Sequence, residues 1–144
     1  MHVEPAGDKL HKKALIGVRS CELHALAIQD KVFMESEFKD SHYKSRRDGN
    51  FIVAINCSKA GGTCFCASMN TGPQVTAGYD LLLTELTGAG GHCFLLQVGS
   101  KQGAAVAKEL TQTPAESKQL EQAAKTLATV VRGMGRNLDT LQIK

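Results

Sequence analysis

The sequence predicts a single α/β domain with a mixed sheet, flanking helices and a glycine-rich cysteine loop. Three observations predict it. Two short apolar runs, Ala14–Val18 and Phe51–Ile55, are separated by a helical segment; two more strand-like stretches are split by a glycine turn; and two helical stretches follow. Strand, helix, strand requires a parallel crossover, whereas a glycine turn between strands makes a hairpin, so one sheet holds both kinds of pairing.

Taken in order, residues 1–12 read as a weakly ordered lead-in and 13–144 as the domain. Ala14–Val18 is short and apolar, suited to a buried strand, and ends at Arg19-Ser20. Ser20 is the cap expected for a helix from Cys21 to about Met34. Its apolar residues Leu23, Leu26, Ile28, Val32 and Phe33 occupy more than one face, which predicts a widely buried helix. Residues 35–50 are polar and finish in the turn signal Asp48-Gly49-Asn50. Phe51–Ile55 reads as a buried strand, and the cysteine loop after it runs to Gly72-Pro73. Tyr79–Leu86 and Cys93–Val98 read as strands joined through Gly88-Ala89-Gly90-Gly91. Lys101 to about Thr111 is helical, and Pro114 with Glu116 begins another helix reaching Val131 or beyond.

Composition narrows the function. The chain has 144 residues, a formal charge of +3, no tryptophan and five cysteines. That charge is small and dispersed; Lys12-Lys13 and Arg46-Arg47 are short pairs of a solvated surface, so nucleic acid is not an expected partner. No apolar stretch approaches the roughly 20 residues of a membrane span, and the polar start lacks a secretory signal, so a cytoplasmic location is expected. A reducing compartment and an odd cysteine count both argue against a disulfide framework.

The chemistry concentrates in Asn56-Cys57-Ser58-Lys59-Ala60-Gly61-Gly62-Thr63-Cys64-Phe65-Cys66, with Cys21 upstream beside Arg19. Crowded thiolates repel one another, and a metal, a cluster or a redox partner offsets that repulsion. Gly61-Gly62 removes two side chains and lets the loop curl around a bulky guest. Cys21 at a helix start gains from the positive end of the helix dipole, and Arg19 adds a full charge. An iron–sulfur cluster suits such a set. Structural zinc favours paired hooks two to four residues apart, a pattern this chain lacks. Buried or redox-active thiols are the third reading, weakened because no C-x-x-C pair opens a helix. Cys93, within an apolar strand, reads as a small core residue. His24 and His42 read as structural, the Gly88–Gly91 stretch as a turn, and Ser20, Glu22 and Asp30 form no hydrolytic constellation.

The stretches Gly17–Phe33, with Arg19, Cys21, Leu23 and Asp30, and Phe51–Leu86, with Asn56-Cys57, Gly61-Gly62-Thr63-Cys64-Phe65-Cys66, Ser68-Met69, Gly72-Pro73 and Gly78-Tyr79-Asp80-Leu81, resemble the 4Fe–4S dicluster-domain electron-transfer subunits. These are subunits of the sulfhydrogenase β and anaerobic sulfite reductase A type, and the likeness covers roughly residues 13–110. It implies a redox subunit working between a flavin- or ferredoxin-type partner and a catalytic subunit. It also implies a cluster, 4Fe–4S in type, held by Cys21, Cys57, Cys64 and Cys66; the charge of Arg19 and the open backbone of Gly61 and Gly62 make these three further candidate cofactor-binding residues. Such subunits continue into a module of repeated C-x2-C-x2-C-x3-C-P motifs that this chain lacks; an excised domain or a shortened homologue is therefore expected. A cluster-free or zinc-bound docking scaffold is the competing expectation.

The geometry needed for four ligands is specific. Ala14–Val18 and Phe51–Ile55 should be adjacent and parallel, joined by a crossover through the Cys21 helix, so that both cysteine segments leave the same sheet edge.

Overall fold

The apolar runs Lys13–Val18 (β1) and Asn50–Ile55 (β2) pair in parallel in the computed structural model, which describes residues 12–88 and 91–139. Leu81–Gly88 (β3) adds to β2 in parallel, and Gly91–Val98 (β4) returns antiparallel to β3, giving one four-stranded sheet in the order β1-β2-β3-β4. The mixed sheet and the adjacent parallel pair are those the sequence predicts. Four helices complete the fold: Ser20–Asp30 (α1), Ser41–Asp48 (α2), Lys101–Lys108 (α3) and Ser117–Arg132 (α4). The expected lead-in, apart from Lys12, lies outside the described residues, as do residues 89 and 90 of the glycine turn.

Register explains where the core forms. Val18 lies opposite Ala54, and Ala54 opposite Leu82, so the three share one face. There Ile52, Ala54 and Leu82 meet Leu23 of α1 and Val75 from the end of the cysteine loop, with Val18, Leu26 and Tyr79 packed around them. Each fully buried leucine contributes about 1.5–3 kcal/mol. Gly17 is bulged between the Ile16–Val53 and Val18–Ala54 pairs at φ 86°, a conformation that costs a glycine little. Without that extra residue Val18 would point to the other face. Ala123 and Val130, seven residues apart on α4, are buried as that helix packs on β3 and β4. Gly103 of α3 rests against the Asp80 backbone so closely that a Cβ would collide with the Asp80 carbonyl.

Several expectations are corrected. β1 is an edge strand, not a buried one, and Ile16 is 76% exposed. An apolar run marks a strand but does not tell edge from centre. α1 is not widely buried: only Ser20 and Leu23 are, and Ile28 is 63% exposed, because one sheet face can cover one stripe of a helix and no further layer among the described residues covers the rest. The α1 cap is Arg19, not Ser20: the Glu22 carboxylate accepts from the Arg19 backbone N–H and from its guanidinium, both at 2.8 Å. Ser20 is the first helical residue, and its hydroxyl donates instead to the Gln74 carbonyl at 2.9 Å. Beyond Asp30 the helix loosens into a π-helical turn, Lys31–Glu35. The polar stretch 35–50 contains α2, whose Asp40 cap accepts the Tyr43 N–H at 2.9 Å. Cys93 is exposed, not core. It faces Leu86 near the hairpin tip, past Leu83, the last β3 residue paired with β2, and Gln119 Nε2 lies 3.9 Å from its sulfur.

Candidate functional site

β1 and β2, being parallel neighbours, release the chain at the same sheet edge. β1 ends at Val18 and leads through Arg19 and Ser20 to Cys21; β2 ends at Ile55 and leads through Asn56 to Cys57. The two cysteine segments thus begin side by side, a consequence of topology before any side-chain contact is considered.

Asn56 closes the loop between its two ends. Buried, it donates its Nδ2 to Thr84 Oγ1 at 2.8 Å and accepts the Val75 N–H on its Oδ1, also at 2.8 Å, while its own N–H donates to the Leu83 carbonyl. One side chain therefore fixes where the loop leaves the sheet and where it returns. Ser20 holds the return from the other side, through Gln74. Between these anchors the backbone folds in short turns: Cys64 N–H to the Gly61 carbonyl, Ser68 N–H to Phe65, Thr71 N–H to Cys66. Regular strand is absent from residues 56–80, so Cys64 and Cys66 are presented from turns.

The four thiols sense one another. Cys57 is held above the usual thiol range first by burial, then by repulsion from Cys66 and Cys21, with Arg19 opposing and Cys64 adding to it. Cys66 is raised by burial and then by Cys21 and Cys64. Cys21 is exposed, the other three are partly buried, and none is in a disulfide. A Cβ on Gly72 would stand 3.1 Å from the Cys66 sulfur and 3.2 Å from Ser20 Cβ, which puts Cys66 against the start of α1. Gly61 donates its N–H to the Cys64 sulfur at 3.3 Å. Arg19 stays firmly cationic through Glu22, and its charge reaches both Cys21 and Cys57.

Cys21, Cys57, Cys64, Cys66, Arg19 and Gly61 are thus drawn together. Gly62 is turned elsewhere: its carbonyl lies under Gly135, so close that Gly135 has no room for a Cβ. That contact belongs to a segment the sequence did not single out. Residues 134–138 run across the loop, with Arg136 N–H donating to the Cys64 carbonyl at 3.2 Å and Leu138 N–H to Ser68 Oγ at 3.1 Å. Ser68 Oγ donates to Asn137 Oδ1 at 2.8 Å, and the Met134 and Cys66 sulfurs are 4.0 Å apart. Glycine at 133 and 135 and the polar run after them were the available signal, but they name no partner. His24 is exposed on α1, and Cys93 lies beside α4, away from this group.

Among the described residues no three His, Cys, Asp or Glu side chains converge in the arrangement of a shared metal ion. One ion requires its donors at a common centre; a polynuclear cluster binds each thiolate through a different iron, so its ligands surround the guest at a separation. Soft thiolates, a nearby guanidinium and backbone N–H groups aimed at sulfur are donors that suit a thiolate-bound guest.

Comparison with known proteins gives a partial match. The chain is 38% identical over 92 residues to the β subunit of sulfhydrogenase 2 from Pyrococcus furiosus; the match covers 64% of this chain and 25% of that protein. The chain therefore spans about a quarter of the relative it matches. No family profile and no solved structure matches it.

Proposed function

We propose that this chain is an electron-transfer domain of a redox complex, binding one iron–sulfur cluster of the 4Fe–4S type through Cys21, Cys57, Cys64 and Cys66. The observation that carries the reading is the grouping of four free cysteines, from two separate segments, at the shared end of two parallel strands. The likeness to a sulfhydrogenase β subunit supports membership of an oxidoreductase complex, with a catalytic subunit and a flavin- or ferredoxin-type subunit as partners.

When bound, the cluster supplies one-electron transfer and no substrate chemistry, so the isolated domain is a relay and not an enzyme. The chain's own residues set its surroundings. Arg19 offsets thiolate charge, the Gly61 N–H hydrogen-bonds a ligand sulfur, and Asn56 with Ser20 fixes the loop ends so that ligands need little reorganisation. No helix of the described residues is long and apolar enough to cross a membrane.

Anaerobic reconstitution with iron and sulfide, followed by metal and sulfide analysis and visible absorption, tests the reading. The expected result is a brown protein with iron and sulfide in equal amounts. A colourless protein that takes up zinc tightly, or no metal at all, overturns it in favour of a docking scaffold. The exposed apolar residues Ile16, Ile28, Val32 and Phe38 give that second reading its support.

A further inference from the structure

Every contact between residues 134–138 and the rest of the fold named above falls on the cysteine loop, at four of its residues: Gly62, Cys64, Cys66 and Ser68. The segment leaves α4 at Gly133, whose N–H donates to the Thr129 and Val130 carbonyls, and crosses to the cysteine loop.

We propose that Met134–Leu138 is a strap that positions the thiol site, with Gly135 as the seat and Met134 as the cover of Cys66. The seat is steric. Gly135 approaches the Gly62 backbone so closely that a Cβ would lie 2.6 Å from the Gly62 carbonyl carbon, a separation real Cβ atoms do not show, and both partners are backbone that no side-chain rotation relieves. The clasp is a trio of hydrogen bonds: the Arg136 N–H donates to the Cys64 carbonyl, the Leu138 N–H donates to the Ser68 hydroxyl, and that hydroxyl donates to Asn137 Oδ1. The cover is Met134, whose flexible thioether adapts its shape to the sulfur beside it. Held this way, Cys64 and Cys66 keep their turn conformation and meet less water. Cys21, at the start of α1, has no such contact with the strap and remains exposed. The proposal depends on the preceding reading only for what the thiols hold.

The test uses the iron-free full chain, alkylated with iodoacetamide at fixed pH under single-hit conditions, with each cysteine read separately by peptide mass mapping. In Gly135→Ala, Cys64 and Cys66 are expected to react about tenfold faster, the change that follows from losing one or two backbone hydrogen bonds of a local closure. Cys21 and Cys93 should keep their wild-type rates, which a merely destabilised fold would not allow. Met134→Ala should raise Cys66 by several-fold and leave Cys64 unchanged. If Gly135→Ala accelerates all five cysteines together, the variant has unfolded, and Met134→Ala and Asn137→Ala then decide. Unchanged rates at both Cys64 and Cys66 in the folded variants overturn the strap. On reconstituted protein the same variants should release iron to a chelator several-fold sooner. A chain that takes up no iron in any form would sink the cluster reading while the alkylation rates still decide the strap.

Discussion

The two ends of the sheet are both closed by polar networks, but from different materials. At the end where β2 and β3 begin, carboxylates do the holding. Asp80 accepts the Ile52 N–H at 2.7 Å and the Ser100 hydroxyl at 2.5 Å, and Asp30 accepts from Tyr43 at 2.7 Å and Arg47 at 3.1 Å. At the opposite end neutral groups hold the ends of the cysteine loop, the Asn56 amide and the Ser20 and Ser68 hydroxyls, beside an exposed Arg19–Glu22 pair that caps α1. The first end spends its ionisable side chains on the fold. The second leaves its four thiols almost free of structural duties. That difference teaches where chemistry belongs, since a group the fold does not need can change ligand or redox state without unfolding the domain.

The sharpest way to break the comparison is Asp80→Ala. It strands the buried Ile52 N–H and removes the partner of the α3 cap, and hydrogen bonds to charged groups contribute about 1.5–3 kcal/mol each, so a loss of about 3 kcal/mol is expected in urea denaturation. Its cysteine alkylation pattern below the unfolding midpoint should stay that of the wild type. Asn56→Ala comes next, at about 1–3 kcal/mol for its unpaired partners at Thr84 and Val75. Unlike the Asp80 change it should also speed alkylation of the loop cysteines, and failure to do so would mean Asn56 does not set the loop.

Tyr43→Phe removes one hydrogen bond at the carboxylate end and should cost about 0.5–1.5 kcal/mol. Burial, and then the Asp30 carboxylate, push the Tyr43 phenol above its usual range, so the folded state favours the protonated hydroxyl. The stabilisation is present below the ordinary phenol value, about 10, and fades as pH rises above it. Tyr43→Phe should show less of that alkaline loss than the wild type in a pH series of thermal melts. The smallest stability effect belongs to the thiols: serine at Cys21, Cys57, Cys64 or Cys66 should shift stability by no more than about 0.5 kcal/mol while abolishing iron uptake after reconstitution. Cys93→Ser, at an exposed position, should change neither. A Cys93 variant that loses iron while Cys21→Ser keeps it would reverse the ligand assignment.

The parallel pairing of β1 and β2 was legible because both are apolar runs flanked by polar turns, and the crossover between them leaves few alternatives. The gathering of Cys21 with the loop cysteines followed from that topology. α2 was not legible: Ser-His-Tyr-Lys-Ser-Arg-Arg-Asp has almost no apolar period, and the helix is held by the Asp40 cap and by Tyr43 and Arg47 on Asp30. The exposure of Ile16 and Cys93 was misread because alternation and apolar character are the same in edge and central strands. Asn56 and Ser68 were invisible as anchors since their partners, Thr84, Val75 and Asn137, are fixed only by the folded chain. The strap has no periodicity at all; its meaning lies in a steric meeting of two glycines.

The reach of that strap along the chain has a consequence for biosynthesis. Its hydrogen bonds to Ser68 join residues 69 and 70 positions apart, whereas all four thiols lie within the first half of the sequence. A ribosome therefore delivers the complete set of thiols well before it delivers the segment that covers two of them, and contacts between distant parts of a chain form late. During that interval Cys64 and Cys66 stand without the hydrogen bonds and thioether contact that residues 134–138 bring to them.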